Sequence, residues 1–235
     1  MREPTREPTP EKGSATKENP FQVQDWGLIS YGEALTKQLE LVDAVKSGLE
    51  SDTLVLCSHP PVVTLGRSSQ PVDLDGWSGE VHEVSRGGRA TYHGPSQQVI
   101  YPIVSLDRDS REFLHRRDVH GYLRCLESSL IRTLQSYALK ASVKSSADVD
   151  DDSLKMTGVW VEDRKVASIG VAVRGWVTYH GAALNVDHDP DAFKGISPCG
   201  FTHSTMVSLE ELLGHKIERT ELQGRLIESF AGYFS

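Results

Sequence analysis

The sequence has no apolar run long enough to cross a bilayer, and only three cysteines among 235 residues. The first absence excludes a helical membrane span, which needs about 20 consecutive apolar residues. The second excludes a scaffold held by disulfides and fits a reducing compartment. An odd number of thiols leaves at least one free unless it pairs with another chain. Positive charge is also scarce. Asp and Glu outnumber Lys and Arg by 33 to 25, and the net charge of −8 argues against general nucleic-acid binding. The N-terminus lacks the apolar core of a secretory signal, and its glutamates disfavour a transit peptide. A cytoplasmic protein is expected, with neither nucleic acid nor membrane among its partners.

Several sequence signatures are missing as well. No G-x-x-x-x-G-K-[S/T] loop is present to cradle a nucleotide, and "RGG" at 86–88 is not the G-x-G-x-x-G of a dinucleotide site. No G-x-S-x-G elbow occurs. The nine histidines include no zinc-helix pair, and no C-x2–4-C pair stands beside them to complete a zinc finger. Neither a metal nor a cofactor is expected.

Residues 1–20, with the tandem "REPT", contain no large apolar residue beyond Met1 and read as a disordered tail, leaving 21–235 as one catalytic domain. Tyr31, Leu35, Leu39, Val42 and Val45 recur at helical spacing, with Gly48 as the stop. "TLVLC", "VVTLG", "VHEVS" and "QQVIYPIVSL" read as strands. A second helix is expected over Arg116–Leu139, and a polar acidic loop after it. Val159 and Val161 begin a hairpin that turns at Asp163-Arg164 and continues into a third strand. Ser208 with Glu211, and Thr220 with Gln223, read as capping boxes of two final helices. Strands and helices alternate irregularly, so the predicted class is α+β: a mixed or antiparallel sheet flanked by helices.

Chemistry centres on a thiol. Cys57 lies in an apolar strand and Cys125 in a helical stripe, so both read as packing residues. Cys199 lies between Pro198 and Gly200, in a turn, where a nucleophile is accessible. A cysteine acts as thiolate and needs a neighbour that lowers its pKa. Lys165, opening the strand "KVASIG", and His203, four positions after the thiol, are both candidates. The tetrapeptide "TYHG" occurs twice, at 91–94 and 178–181, and is read as two walls of one tunnel. Its tyrosines and histidines would supply walls with polar tips, and its glycines would allow close backbone approach.

Four blocks, "HPPVVTLGR" at 59–67, "RGGRATYHGPSQQVIYPI" at 86–103, "GVWVEDRKVASIGVAV…VTYHGAALNV" at 158–186 and "FKGISPCG" at 193–200, resemble the octanoyltransferases of lipoate biosynthesis. The resemblance spans about residues 24–230. It implies a fold shared with biotin protein ligases and lipoate ligases. It implies transfer of an octanoyl group from acyl carrier protein to a lysine of apo lipoyl domains, those of 2-oxoacid dehydrogenases and the glycine-cleavage H protein. By the same resemblance Cys199 is the acyl-thioester nucleophile and Lys165 its partner. Substrate contacts would fall on Arg86, Gly87, Gly88, Arg89, Ala90, Thr91, Tyr92 and His93, on Ser168, Ile169 and Gly170, and on Gly181, Ala182 and Ala183. Ser96 stands where the family usually has glycine, giving up that residue's freedom at positive φ. Acidic partners would need local attraction, and Arg67, Arg86, Arg89, Arg108, Arg111, Arg116, Arg117 and Arg124 are candidates to frame the mouth. Two other readings use the same residues: an ATP-dependent ligase of this fold, and a cysteine–histidine thioesterase or acyl-binding protein.

Overall fold

A computed structural model describes residues 21–74, 76–144, 157–197 and 203–234. The expected N-terminal tail, most of the acidic loop and Cys199 lie outside them. Strand β1 (Gln22–Leu28) leads into helix α1 (Tyr31–Ser47). The Ser30 side chain caps α1 by accepting from the Glu33 N–H, and Gly48 stops it in the left-handed region at φ 77°. Along α1, Tyr31, Ala34, Gln38, Val42 and Val45 are buried. Leu35 and Leu39, expected in that stripe, are only partly covered. Gln38 takes a core position because its Oε1 accepts from the His180 N–H at 2.8 Å.

Strands β2 (Thr53–Ser58), β3 (Val62–Leu65), β4 (Glu80–Glu83), β5 (Thr91–His93) and β6 (Gln97–Ile103) follow. Helix α2 is shorter than expected, Val119–Gln135, because the Asp118 side chain accepts from Gly121 N–H and fixes the start there. Strands β7 (Ala141–Ser142), β8 (Gly158–Val161), β9 (Arg164–Arg174) and β10 (Val177–Asn185) come next, then helices α3 (Leu209–Leu213) and α4 (Arg219–Phe234). The β8–β9 turn is at Glu162-Asp163, one position before the expected one, with Glu162 at φ 53°. The Ser208–Glu211 capping box forms. Thr220 is not a cap, because α4 begins one residue before it.

A seven-stranded sheet runs β1-β2-β6-β10-β9-β8-β7, and a three-stranded one runs β4-β3-β5. Among the described strand pairs, β1/β2 and β3/β4 are parallel and the rest antiparallel, so the sheets are mixed, as expected. One face of the large sheet is covered by α2 and α4, through Leu126, Leu130, Leu134, Leu222, Leu226 and Phe230. Each such side chain contributes about 1.5–3 kcal/mol on burial. The other face packs α1 through Val42 and Val45, and the small sheet stands beside it, with Tyr31 stacked on His93. No helix among the described residues is long and apolar enough to cross a membrane.

Candidate active site

Between the large sheet and the small one lies a cavity. Tyr31, Arg86, Gly88, Thr91, His93, Tyr101, Thr157, Ser168, Ile169, Gly170, His180, Gly181, Ala182 and Ala183 line it. Strand register explains its floor. Ser168 pairs with Ala183 and Gly170 with Gly181 across β9 and β10, so four small residues stand together where larger side chains would fill the space. The predicted segments 86–93, 168–170 and 181–183, far apart in sequence, therefore converge.

Not every residue of the first segment faces this space. Ala90 and Tyr92 pack into a separate cluster with Phe193, Ile196 and Met206. Alternation along β5 is the cause: Thr91 and His93 point one way and Tyr92 the other. Arg89 pairs with the fully buried Asp73. Gly87 lines an adjoining groove, its N–H bonded to the Val171 carbonyl at 3.0 Å. The Arg86 guanidinium is committed to its own loop, donating to Thr64 O at 2.7 Å, Thr64 Oγ1 at 2.7 Å and Arg89 O at 2.8 Å.

Both "TYHG" copies reach the cavity, through His93 and His180. The tyrosines do not line it: Tyr92 joins the separate cluster, and Tyr179 bonds Ser85 Oγ at 2.6 Å. Nor do the glycines serve chiefly a substrate. A Cβ on Gly181 would stand 2.1 Å from the Ile100 carbonyl, and one on Gly94 would strike the Tyr92 hydroxyl. Ser96 needs no positive φ. Its carbonyl accepts from Val186 and Asp187 N–H at 3.0 Å and its hydroxyl donates to Asp189, which ties the β5–β6 turn to the chain after β10.

Three lining residues escaped the sequence reading, Tyr31, Tyr101 and Thr157, whereas His180 was expected as a wall through its "TYHG" copy. Tyr31 was read only as part of a helical stripe. Tyr31, Tyr101 and His180 form a buried polar group with His59. His59 Nδ1 donates to the Ile29 carbonyl at 2.8 Å, leaving Nε2 to accept from the Tyr101 hydroxyl at 2.7 Å. His180 Nδ1 lies 3.4 Å from the Tyr31 hydroxyl. Burial lowers His180 to about 3, helped by the charge of Arg86. Burial, then His59 and Arg86, holds His93 well below the usual histidine value. His93 Nδ1, His180 Nε2 and Thr91 Oγ1 have no hydrogen-bond partner among the described residues, so they are offered to whatever enters.

Lys165 is fully buried. It pairs with Trp160 across the β8–β9 ladder, and its Nζ lies 5.6 Å from the indole centroid. Val159 and Val161 belong to the core under α2 and α4, so Trp160 and Lys165 face the opposite side, the side of the cavity. The Lys165 carbonyl accepts from the Val207 N–H at 3.0 Å, and Lys165 bridges Met206. Upstream of Cys199, Ile196 bridges Leu74 and the Ser197 N–H donates to the Asp73 carbonyl at 3.0 Å. Cys199 itself is outside the described residues, with both described flanks anchored beside the site. His203 begins a short 3-10 turn. The other thiols are packing residues, as expected. Burial raises Cys57, and it pushes Cys125 up to about 11.

A model of the lipoyl protein ligase A/B catalytic domain matches residues 30–231. An octanoyltransferase of Bdellovibrio bacteriovorus is 49% identical over 217 residues, covering 87% of this chain and 96% of its own. The crystal structure of a lipoate-protein ligase A bound with ATP shares the fold at a TM-score of 0.64 and 17% identity, over 91% of this chain and 85% of its own. The bipartite lipoate protein ligase of Thermoplasma acidophilum, solved in work on that ligase and its E2 lipoyl domain, shares it at a TM-score of 0.62 and 15% identity, over 91% and 83%. The likeness to solved ligases shows the fold, and the curated relative shows the branch. The chain belongs to the lipoyl protein ligase A/B catalytic-domain family and, within it, to the octanoyltransferases, which are acyltransferases.

Proposed function

We propose that the cavity receives the octanoyl chain of a carrier-protein thioester and passes it, by way of Cys199, to a lysine of an apo lipoyl domain. The observation that carries this reading is the convergence of the three sequence segments on one cavity, with the buried Lys165 on the same side of the sheet. The apolar chain gains about 0.8 kcal/mol per buried methylene. Cys199 attacks the thioester carbonyl, and its sulfur–carbon bond forms as the bond to the carrier's sulfur breaks. Lys165 takes the thiol proton and returns one to the departing carrier thiolate. In the second half, the lipoyl-domain amine attacks the acyl-enzyme. Cys199 leaves as thiolate and Lys165 relays the amine's proton back to it. An amide replaces a thioester, which is downhill, so the reaction consumes no ATP. The neutral imidazoles and phenols around the cavity suit a thioester, which carries no charge.

The partners in this reading are the lipoyl domains of 2-oxoacid dehydrogenases and the glycine-cleavage H protein, in the cytoplasm. The test is intact mass spectrometry after mixing the protein with octanoyl-acyl carrier protein, with and without ATP. The expected result is one octanoyl group on Cys199, discharged when apo lipoyl domain is added and indifferent to ATP. An absolute requirement for ATP and free octanoate would refute the reading in favour of a ligase. Release of the acyl group to water alone would refute it in favour of a thioesterase.

A further inference from the structure

We infer that Arg67 binds the phosphodiester of the donor's phosphopantetheine arm, in a groove that adjoins the acyl cavity. The inference deepens the reading above and rests on it. Beside the cavity lies a groove walled by Gly87, Val119, Leu123, Val171 and Val173, with Arg67 on its rim. The groove and the cavity share Gly88, Ile169 and Gly170, so the two are continuous across the arginine-glycine loop. An acyl thioester buried in the cavity has to trail its carrier arm through an adjoining opening. That arm is uncharged along its methylenes and amides and ends in a phosphodiester anion. A groove with valine and leucine walls and an exposed arginine among its lining residues offers both the apolar and the cationic contact that such an arm needs.

The charge pattern singles out Arg67. Arg89 is neutralised by Asp73, Arg108 and Arg111 by Asp52, Arg116 and Arg117 by Asp107, and Arg124 by Glu127. Arg86 is buried and holds its own loop. Of the arginines expected to frame the mouth, Arg67 is the exposed one without a carboxylate partner among the described residues. Its backbone N–H donates to the Arg86 carbonyl at 3.1 Å, so a loop that lines the cavity fixes where the side chain starts. A guanidinium makes a bidentate contact to a phosphate, which a lysine reproduces only as a point charge.

The experiment compares Arg67→Ala and Arg67→Lys with the native protein on three donors: octanoyl-acyl carrier protein, octanoyl-4′-phosphopantetheine and octanoyl-pantetheine, which lacks the phosphate. Arg67→Ala should raise KM about tenfold for both phosphate-bearing donors, leave kcat nearly unchanged and leave octanoyl-pantetheine unaffected. Arg67→Lys should recover part of the loss, and the native preference for phosphate should shrink at high salt. The donor without phosphate also reports that the variants are folded. Equal losses on all three donors, or no loss on any, would overturn the inference. A loss confined to the whole carrier protein would overturn it too, assigning Arg67 to a carboxylate on that protein's surface. Native protein that transfers octanoate from none of the three would sink the underlying reading itself.

Discussion

Adding one methyl group to Gly158 tests how Lys165 is held. At φ 146° this residue lies where side chains are strained, at a cost of about 1–3 kcal/mol. The new carbon would stand 2.3 Å from the Ala167 carbonyl and 2.6 Å from Lys165 Cε. The carbonyl belongs to the β8–β9 ladder and cannot swing away, and the lysine is buried in close packing. Overpacking of this kind typically costs a further 1–3 kcal/mol or so. Gly158→Ala should therefore lose about 2–6 kcal/mol, and at roughly 2–4 °C per kcal/mol for a chain this size, Tm should fall by about 4–24 °C. Whatever relief occurs has to come from Lys165, whose amine then moves. Displacement of a reacting group by about 1 Å costs up to about a hundredfold in rate. Thermal unfolding by circular dichroism measures the first effect, and single-turnover acylation of Cys199 by octanoyl-acyl carrier protein measures the second. In a Lys165→Ala background one of the two clashes is gone, so the same methyl should cost about 1 kcal/mol less, a coupling that a double-mutant cycle resolves. A variant with native Tm and native acylation would show that Gly158 and Lys165 do not meet as described.

Cys199→Ser should abolish both transfer and the covalent adduct, while Cys57→Ser and Cys125→Ala keep most activity; normal transfer by the first variant refutes the acyl-enzyme. Lys165→Ala should slow acylation at least about a hundredfold, and His203→Ala much less. A dead His203 variant beside an active Lys165 variant, each followed by single-turnover kinetics from pH 6 to 9, would reassign the thiol's partner. Burial holds His59, His93 and His180 below their ordinary 6.5 in the folded state, so the unfolded chain binds more protons and stability should fall as pH drops below about 6.5. The slope is up to about 1.4 kcal/mol per pH unit for each histidine, and His180→Asn should flatten the fall in Tm between pH 7 and 5.

Elements whose signal is local were legible in the sequence. The Gly48 limit of α1 depends on a left-handed glycine at the helix end, and the Ser208–Glu211 box is likewise self-contained. Strand β1 was not legible, because Gln22–Leu28 lies largely exposed at a sheet edge, without the alternation that marks a half-buried strand. The same limit applies at the site. Arg86, Gly88, His93, Gly170 and Gly181 sit in recognisable motifs, and all of them reach the cavity. Tyr101 also reaches it, but from the middle of an apolar strand that reads as core. Its hydroxyl is useful there only because His59, distant in sequence, offers Nε2 at 2.7 Å. A polar contact between distant residues leaves no periodic trace in either segment.

Arg86, expected as a substrate contact, lines the cavity and also acts indirectly. Its guanidinium binds Thr64 and the Arg89 carbonyl, which closes the arginine-glycine loop over the cavity. The charge that remains is buried near His93 and His180, and it adds to the burial that keeps both imidazoles neutral. A neutral imidazole can accept a hydrogen bond, whereas an imidazolium only donates. His93 Nδ1 and His180 Nε2, without a partner among the described residues, therefore suit a neutral guest, a thioester or an amine, with no net charge to desolvate. A ligase has to activate a free carboxylate, so it needs ATP and a place for its phosphates. A donor that arrives as a thioester is already activated, and the same scaffold then needs only a nucleophile, a proton carrier beside it and an uncharged pocket. Arg86→Lys would keep the positive charge but lose the forked geometry that closes the loop. The expected outcome is retained neutrality of the histidines with a loosened cavity, and hence a raised KM for the octanoyl donor rather than a changed pH profile of acylation.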